Sequence, residues 1–140
     1  MKMSSATTEI KASPEKVWGI LTDAAKYTEW DKGMISLDGK IAPGEKLTIY
    51  AKIAPNRAFK VTVSEFVPNS RLVWSSGMPL GLFTGKRSFS LVPLGNGQVK
   101  FTIQEAFSGL MLPLIGGSIP DLNSTFATYA SALKARAEQG

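Results

Sequence analysis

Residues 46–53 read Lys-Leu-Thr-Ile-Tyr-Ala-Lys-Ile, and residues 59–65 read Phe-Lys-Val-Thr-Val-Ser-Glu. In both stretches apolar and polar residues alternate with a period of two, which is the pattern of strands with one buried face. Leu72 and Trp74 continue it after the turn Val67-Pro68-Asn69-Ser70. Phe83, Phe89 and Leu91 form one face of the next strand, and Val99, Phe101 and Ile103 that of the last, after Gly95-Asn96-Gly97. These segments predict an antiparallel meander with one apolar face.

Something must cover that face. Ile119, Leu122, Phe126, Tyr129, Ala130, Leu133 and Ala137 recur at helical spacing behind the start signal Ser118, Pro120 and Asp121. The N-terminal side supplies a short strand over Thr7–Ala12 and two short helices. Ser13, Pro14 and Glu15 start the first, with Val17, Trp18, Ile20 and Leu21 as its stripe, and Asp23 caps a second that carries Tyr27 and Trp30. The expected fold class is α+β. A curved antiparallel sheet of about six or seven strands wraps around a long C-terminal α-helix of about 30 Å, with two short helices after the first strand.

The chain has 140 residues, 44% of them hydrophobic and 19% charged, with a mean hydropathy of +0.02. Such a chain makes one domain, residues 1–140, burying about two-thirds of its extended surface. Its composition excludes disordered and fibrous classes. It contains no cysteine and no histidine. Disulfides, thiolate chemistry, the commonest metal ligand and the commonest neutral-pH base are therefore excluded. No metal and no cofactor is expected. Met1–Ala12 has no apolar signal core, and the longest apolar stretch, Gly109–Gly117, holds Pro113. The expected location is cytoplasmic.

Three charges break the inward parity: Glu65, Arg87 and Glu105. Pairing Glu65 with Leu72, Leu72 with Arg87 and Arg87 with Glu105 sets all three at one level. A slip of two residues keeps the face and moves the level by about 7 Å. Buried charges are paired, hydrated or neutralised. Two readings stand: an Arg–Glu bridge that orders the sheet, and a polar floor that recognises the polar end of an apolar guest. The candidate cavity lining is Trp30, Glu65, Trp74, Arg87, Phe89, Phe101, Ile103, Glu105, Leu122 and Phe126. The connection Gly77–Leu82, Trp30, Met34 and Leu110-Met111-Leu112 are either core or the rim of an opening, with Gly116-Gly117 allowing movement. Asp31 and Asp38 read as solvated loop residues.

The outward parity carries Lys46, Lys52, Lys60, Arg71, Lys86 and Lys100 with no acidic partner, within a net charge of +5. This suits solubility and protected edges, or a transient contact with an anionic membrane or an acidic protein. No nucleic-acid partner is expected, because the aromatic residues point inward.

The order of these elements resembles the START-like, helix-grip superfamily (SRPBCC), most closely its polyketide cyclase/dehydrase-like branch. The resemblance covers Thr7 to Glu138. It rests on Ala12-Ser13-Pro14-Glu15-Lys16-Val17-Trp18, Leu21-Thr22-Asp23 with Trp30, Arg71-Leu72-Val73-Trp74, Gly85 with Phe89-x-Leu91, and Glu105-x-Phe107-x-Gly109. It implies a cavity between sheet and C-terminal helix for lipids, polyketides, hormones or other apolar molecules. Relatives include lipid-transfer proteins, ligand sensors, aromatase/cyclases and activators of the Hsp90 ATPase. Binding or carrying a small hydrophobic molecule, without catalysis, is the leading expectation. A cyclase/dehydratase-like enzyme working without histidine is the alternative, and a protein-interaction module on the basic convex face is a third.

Overall fold

The computed structural model describes residues 2–52, 54–78, 83–109 and 122–139. Its elements run β1 (Lys2–Ile10), α1 (Pro14–Leu21), a 3-10 turn (Ala24–Lys26), α2 (Tyr27–Trp30), β2 (Met34–Asp38), β3 (Lys46–Ala51), β4 (Ala54–Val67), β5 (Arg71–Met78), β6 (Phe83–Gly95), β7 (Gln98–Ser108) and α3 (Asn123–Glu138). Seven strands form one antiparallel sheet in the order β1-β7-β6-β5-β4-β3-β2. Each strand from β2 to β7 therefore neighbours the next in sequence, and β1 closes the far edge against β7. The sheet curls around α3: this is the helix-grip fold.

Local chemistry explains the helices. The Ser13 hydroxyl accepts from the Lys16 backbone N–H at 3.2 Å, and Pro14 sits where its missing N–H is harmless. Asp23 stands in the capping position of the 3-10 turn but makes no side-chain cap bond, and the second helix is a single turn of four residues. Helix α3 buries Phe126, Tyr129, Ala130, Leu133 and Ala137 along one stripe. Its described length is 16 residues, about 24 Å. The expected start signal at Ser118, Pro120 and Asp121 lies outside the described residues, as do residues 79–82, 110–112 and 116–117 of the expected rim.

Strand β1 holds α3 in place at both ends. The Ser5 N–H donates to Asn123 Oδ1 at 2.8 Å, and the Leu122 N–H donates to Ser4 Oγ at 3.2 Å. At the other end Lys134 Nζ donates to the Glu9 carbonyl at 2.7 Å, and the Lys11 N–H donates to Glu138 Oε2 at 2.8 Å. The helix thus runs parallel to the edge strand and closes over the sheet's inner face.

Several expectations need correction. Strand β1 begins at Lys2 rather than Thr7 and stops at Ile10, pairing with β7 from Phe107 to Val99. Residues 34–38 form strand β2 rather than a loop, and Met34 is buried in the core. The decisive correction is Glu65, which points outward. Val63 pairs with Trp74 and Phe66 with Leu72, so β4 uses three steps where β5 uses two. That bulge at Ser64 and Glu65 reverses the parity of everything after it. Phe66 turns in to meet the Trp18 ring edge-on at 5.2 Å. Glu65 turns out to an ion pair with Arg71 at 3.1 Å, its side chain 46% exposed.

Levels shift as well. Leu72 pairs with Phe89, and Trp74 takes the place opposite Arg87, the two-residue slip that preserves the face. The pairing of Arg87 with Glu105 stands as read from the sequence. On the convex side the cations are not alone: Glu65 joins Arg71, and Glu9 lies directly across from Lys100.

Candidate functional site

The inner face of the sheet is a stack of crosswise rows about 7 Å apart. One row is Thr8, Phe101 and Leu91. The next is Ala6, Ile103, Phe89, Leu72 and Phe66. The row after that is Ser4, Glu105, Arg87, Trp74 and Val63. Two apolar levels are thus followed by a level in which four of five side chains carry a polar atom. Of the residues singled out from sequence, Trp74, Arg87 and Glu105 share this polar row, Phe89 and Ile103 lie one row down, and Phe101 lies two rows down. Phe126 and Leu122 reach them from α3, and Trp30 from α2. Glu65 is on the opposite face and takes no part.

The polar row is internally ordered. Arg87 donates from Nε to Glu105 Oε1 at 2.6 Å, with side-chain exposures of 30% and 12%. The other side of the guanidinium faces Phe126, with Cζ 5.0 Å from the ring centroid. Arg87 is therefore held between a carboxylate and an aromatic face, which joins sheet to helix by a charge-assisted bond and a cation–π contact. Ser4 is buried opposite Glu105, and its hydroxyl oxygen accepts from the start of α3. Beyond the row the floor turns small: Gly85 pairs with Ser76 and with Phe107. A Cβ at Gly85 would stand 3.2 Å from the Phe107 ring.

Below the polar row the interior is filled with rings. Trp30 lies 4.7 Å from Tyr27 and 5.1 Å from Tyr129 between centroids. Trp74 lies 4.8 Å from Phe89 and 6.2 Å from Tyr27. Tyr129 also packs on Phe89 and Phe101 at 5.9 and 6.1 Å. At the centre the hydroxyls of Tyr27 and Tyr129 hydrogen-bond to each other, fully enclosed. The indole N–H groups of Trp30 and Trp74 are buried and have no hydrogen-bond partner among the described residues. A cleft of about 170 Å³ lies outside this box, lined by Gly19, Ile20, Asp23, Lys26, Trp30 and Arg136. Trp30 is the residue common to the cleft and the box.

The electrostatics tie a loop residue to this centre. Burial raises the Asp31 carboxyl above its ordinary value. Its bond from the Gly33 N–H and the nearby positive charges of Arg87 and Lys52 counter that rise in part. Burial likewise pushes both tyrosine hydroxyls up. Their mutual bond lowers Tyr27 and raises Tyr129, the Asp31 charge raises both, and Arg87 lowers both. Asp31, Arg87, Tyr27 and Tyr129 therefore feel one another. Among the described residues no cluster of three or more acidic side chains could hold a metal ion.

Sequence reasoning did not assign Ser4, Tyr27, Tyr129 or Asp31 to the site. The available signal was tyrosine on two separate apolar stripes: a buried phenol needs a partner, and two such stripes can supply each other's. Asp31 had no such signal: it lies in the connection between α2 and β2, with no apolar period around it.

A family model described as polyketide cyclase/dehydrase and lipid transport matches residues 1–139. No curated protein matches the chain. Among solved structures, a START superfamily protein from Mycobacterium smegmatis superposes with a TM-score of 0.72 at 23% identity, covering 98% of this chain and 97% of its own. The Aha1 dimer from Colwellia psychrerythraea gives 0.74 at 21% identity, with coverage of 100% and 98%. Norcoclaurine synthase from Thalictrum flavum gives 0.71 at 14% identity, with coverage of 99% and 94%. At these identities the structures share the fold, and the match along residues 1–139 gives the lineage: the chain belongs to the polyketide cyclase/dehydrase and lipid transport family.

Proposed function

We propose that the protein binds and carries a small hydrophobic molecule between the sheet and α3, with the guest's polar end at the row Ser4, Glu105, Arg87 and Trp74. The observation that carries this reading is the Arg87–Glu105 pair, the charged pair of an inner face whose other described side chains are neutral. A buried ion pair is often no more stabilising than apolar residues of similar volume. Its position at the boundary between packed rings and the small floor of Gly85 and Ser76 suits recognition. Apolar walls supply affinity at about 25 cal/mol per Å² buried, and the polar row fixes orientation. The family's description, which includes lipid transport, supports the same reading.

Native mass spectrometry of the purified protein, together with solvent extraction and analysis of what it carries, tests this directly. A stoichiometric apolar adduct is the expected result. Absence of any adduct, with no binding across a broad library of lipids and aromatic compounds, refutes it.

A second reading is a cyclase- or dehydratase-like enzyme. It is favoured by Asp31, a carboxyl raised by burial within electrostatic reach of Arg87 and the two enclosed phenols. It requires that Asp31→Asn abolish turnover while ligand affinity holds. Loss of binding with no turnover in the parent returns the protein to the carrier reading.

A further inference from the structure

We infer that the guest presents a neutral hydrogen-bond acceptor, a carbonyl oxygen, to the indole N–H of Trp74 or Trp30. This deepens the carrier reading and rests on it.

The argument is an inventory of donors. Trp30 and Trp74 are 6% and 2% exposed, and neither indole N–H has a partner among the described residues. An indole nitrogen is a donor only. In the tyrosine pair one hydroxyl donates to the other, so the accepting hydroxyl keeps a proton of its own to place. Among the described residues the two indole donors therefore stand unused beside this pair. Native interiors leave few such groups unpaired, and two on neighbouring rings of one cluster point to a partner that arrives from outside. The missing partner is an acceptor.

Charge decides which acceptor. The Arg87 charge is already opposed by Glu105 at 2.6 Å, and Asp31 adds a further carboxyl within electrostatic reach of Arg87 and the tyrosines. No uncompensated cation is left among these groups to receive a carboxylate, whose desolvation without a counter-charge is prohibitive. A ketone, quinone or ester oxygen accepts from the indoles and brings no charge.

Access has a structural basis. Trp30 sits on a helix of four residues, between the aromatic box and the cleft lined by Gly19, Ile20, Asp23, Lys26 and Arg136. Displacing this single turn exposes the box, whereas the strands that hold Trp74 are paired on both sides.

The test uses isosteric triads: acetophenone, isopropylbenzene and benzoate, and 2-acetylnaphthalene, 2-isopropylnaphthalene and 2-naphthoate. The readouts are affinity by calorimetry and the indole resonances of a ¹H–¹⁵N correlation spectrum, in which Trp18 serves as internal control. One net hydrogen bond makes the ketone bind about 2- to 12-fold tighter than its alkyl isostere. The Trp74 or Trp30 indole proton moves downfield on ketone binding, and Trp74→Phe or Trp30→Phe removes the preference. The spectra of the parent decide the matter if a variant does not fold. Tightest binding by the carboxylate overturns the inference. So does ketone binding that leaves both indoles unmoved, which assigns those N–H groups to neighbouring aromatic faces and leaves the carrier reading standing. Binding of no member, with no adduct in the native spectrum, refutes the carrier reading and this inference with it.

Discussion

Replacing Tyr129 by phenylalanine deletes one hydroxyl from a pair that water does not reach. Tyr27 is 0% exposed and Tyr129 8%, and the rings of Trp30, Trp74, Phe89 and Phe101 surround them. The oxygen left on Tyr27 then has no partner, and a buried unsatisfied hydroxyl costs about 1–3 kcal/mol. Tyr27→Phe leaves the reciprocal orphan at similar cost. The double variant removes both oxygens and keeps both rings, so it loses only the net value of one bond, about 0.5–1.5 kcal/mol. The two substitutions are thus strongly non-additive, with a coupling of about 1.5–4.5 kcal/mol. For a chain of this length the unfolding entropy translates 1 kcal/mol into about 3–4 °C of Tm. Each single variant melts about 3–10 °C below the parent, and the double melts above the lower of the two singles. Urea titration and calorimetry on the four proteins measure the cycle. A double variant whose loss equals the sum of the singles refutes the reasoning, because the hydroxyls would then act independently.

Burial raises both phenols above 10.0 in the folded state, so stability is full below pH 10 or so and falls as the unfolded chain releases those protons first. The Tyr27→Phe/Tyr129→Phe protein loses much of that alkaline slope, which denaturation at stepped pH measures. Burial also raises the Asp31 carboxyl above 3.8. Its contribution is therefore present below that value and lost as pH rises through the folded-state value. Asp31→Asn, which keeps an oxygen for the Gly33 N–H, is more stable than the parent at neutral pH and loses this advantage in acid; a parent that is the more stable at neutral pH contradicts the assignment. Arg87→Gln leaves Glu105 without its partner and costs about 1–3 kcal/mol, whereas Glu65→Gln at the exposed pair costs less than about 1 kcal/mol. Gly39→Ala places a Cβ 2.7 Å from the Lys46 carbonyl at a φ of +119°, so urea titration finds it destabilised by about 2 kcal/mol or more.

What the sequence showed and what it hid follow from one property of strands. Alternation is readable wherever pairing is uninterrupted. From Val99 to Glu105 no bulge intervenes, and Gly95-Asn96-Gly97 forms a turn in which all three residues have positive φ. The Arg87–Glu105 pair was legible for that reason. Between Val63 and Phe66 one extra residue reverses the alternation, and nothing in Val-Ser-Glu-Phe marks it, so Glu65 was placed on the wrong face. Strand β2 stayed hidden for a related reason: a register shift between Met34 and Ser36 removes the period of two from a five-residue strand. Helical stripes revealed that Tyr27 and Tyr129 are buried. That their hydroxyls meet is a tertiary fact, set by where α2 and α3 lie over the sheet.

The unpaired indoles bear on why this interior is built as it is. Two buried donors without acceptors cost about 1–3 kcal/mol each, a large share of the 5–15 kcal/mol that separates a typical domain from its unfolded chain. Phenylalanine at either position would fill much of the same space without an N–H to strand. A core selected only to hold sheet against helix has no use for that penalty, and neither has a carrier that grips its guest by apolar contact alone. A binding site does, because the acceptor that relieves the penalty then adds the net value of that bond to the affinity. The unliganded fold is left correspondingly less stable, and the relief is available only to guests with an oxygen in the right place. If the two indoles meet a guest as proposed, selectivity and reduced stability of the empty protein are two consequences of the same two nitrogen atoms.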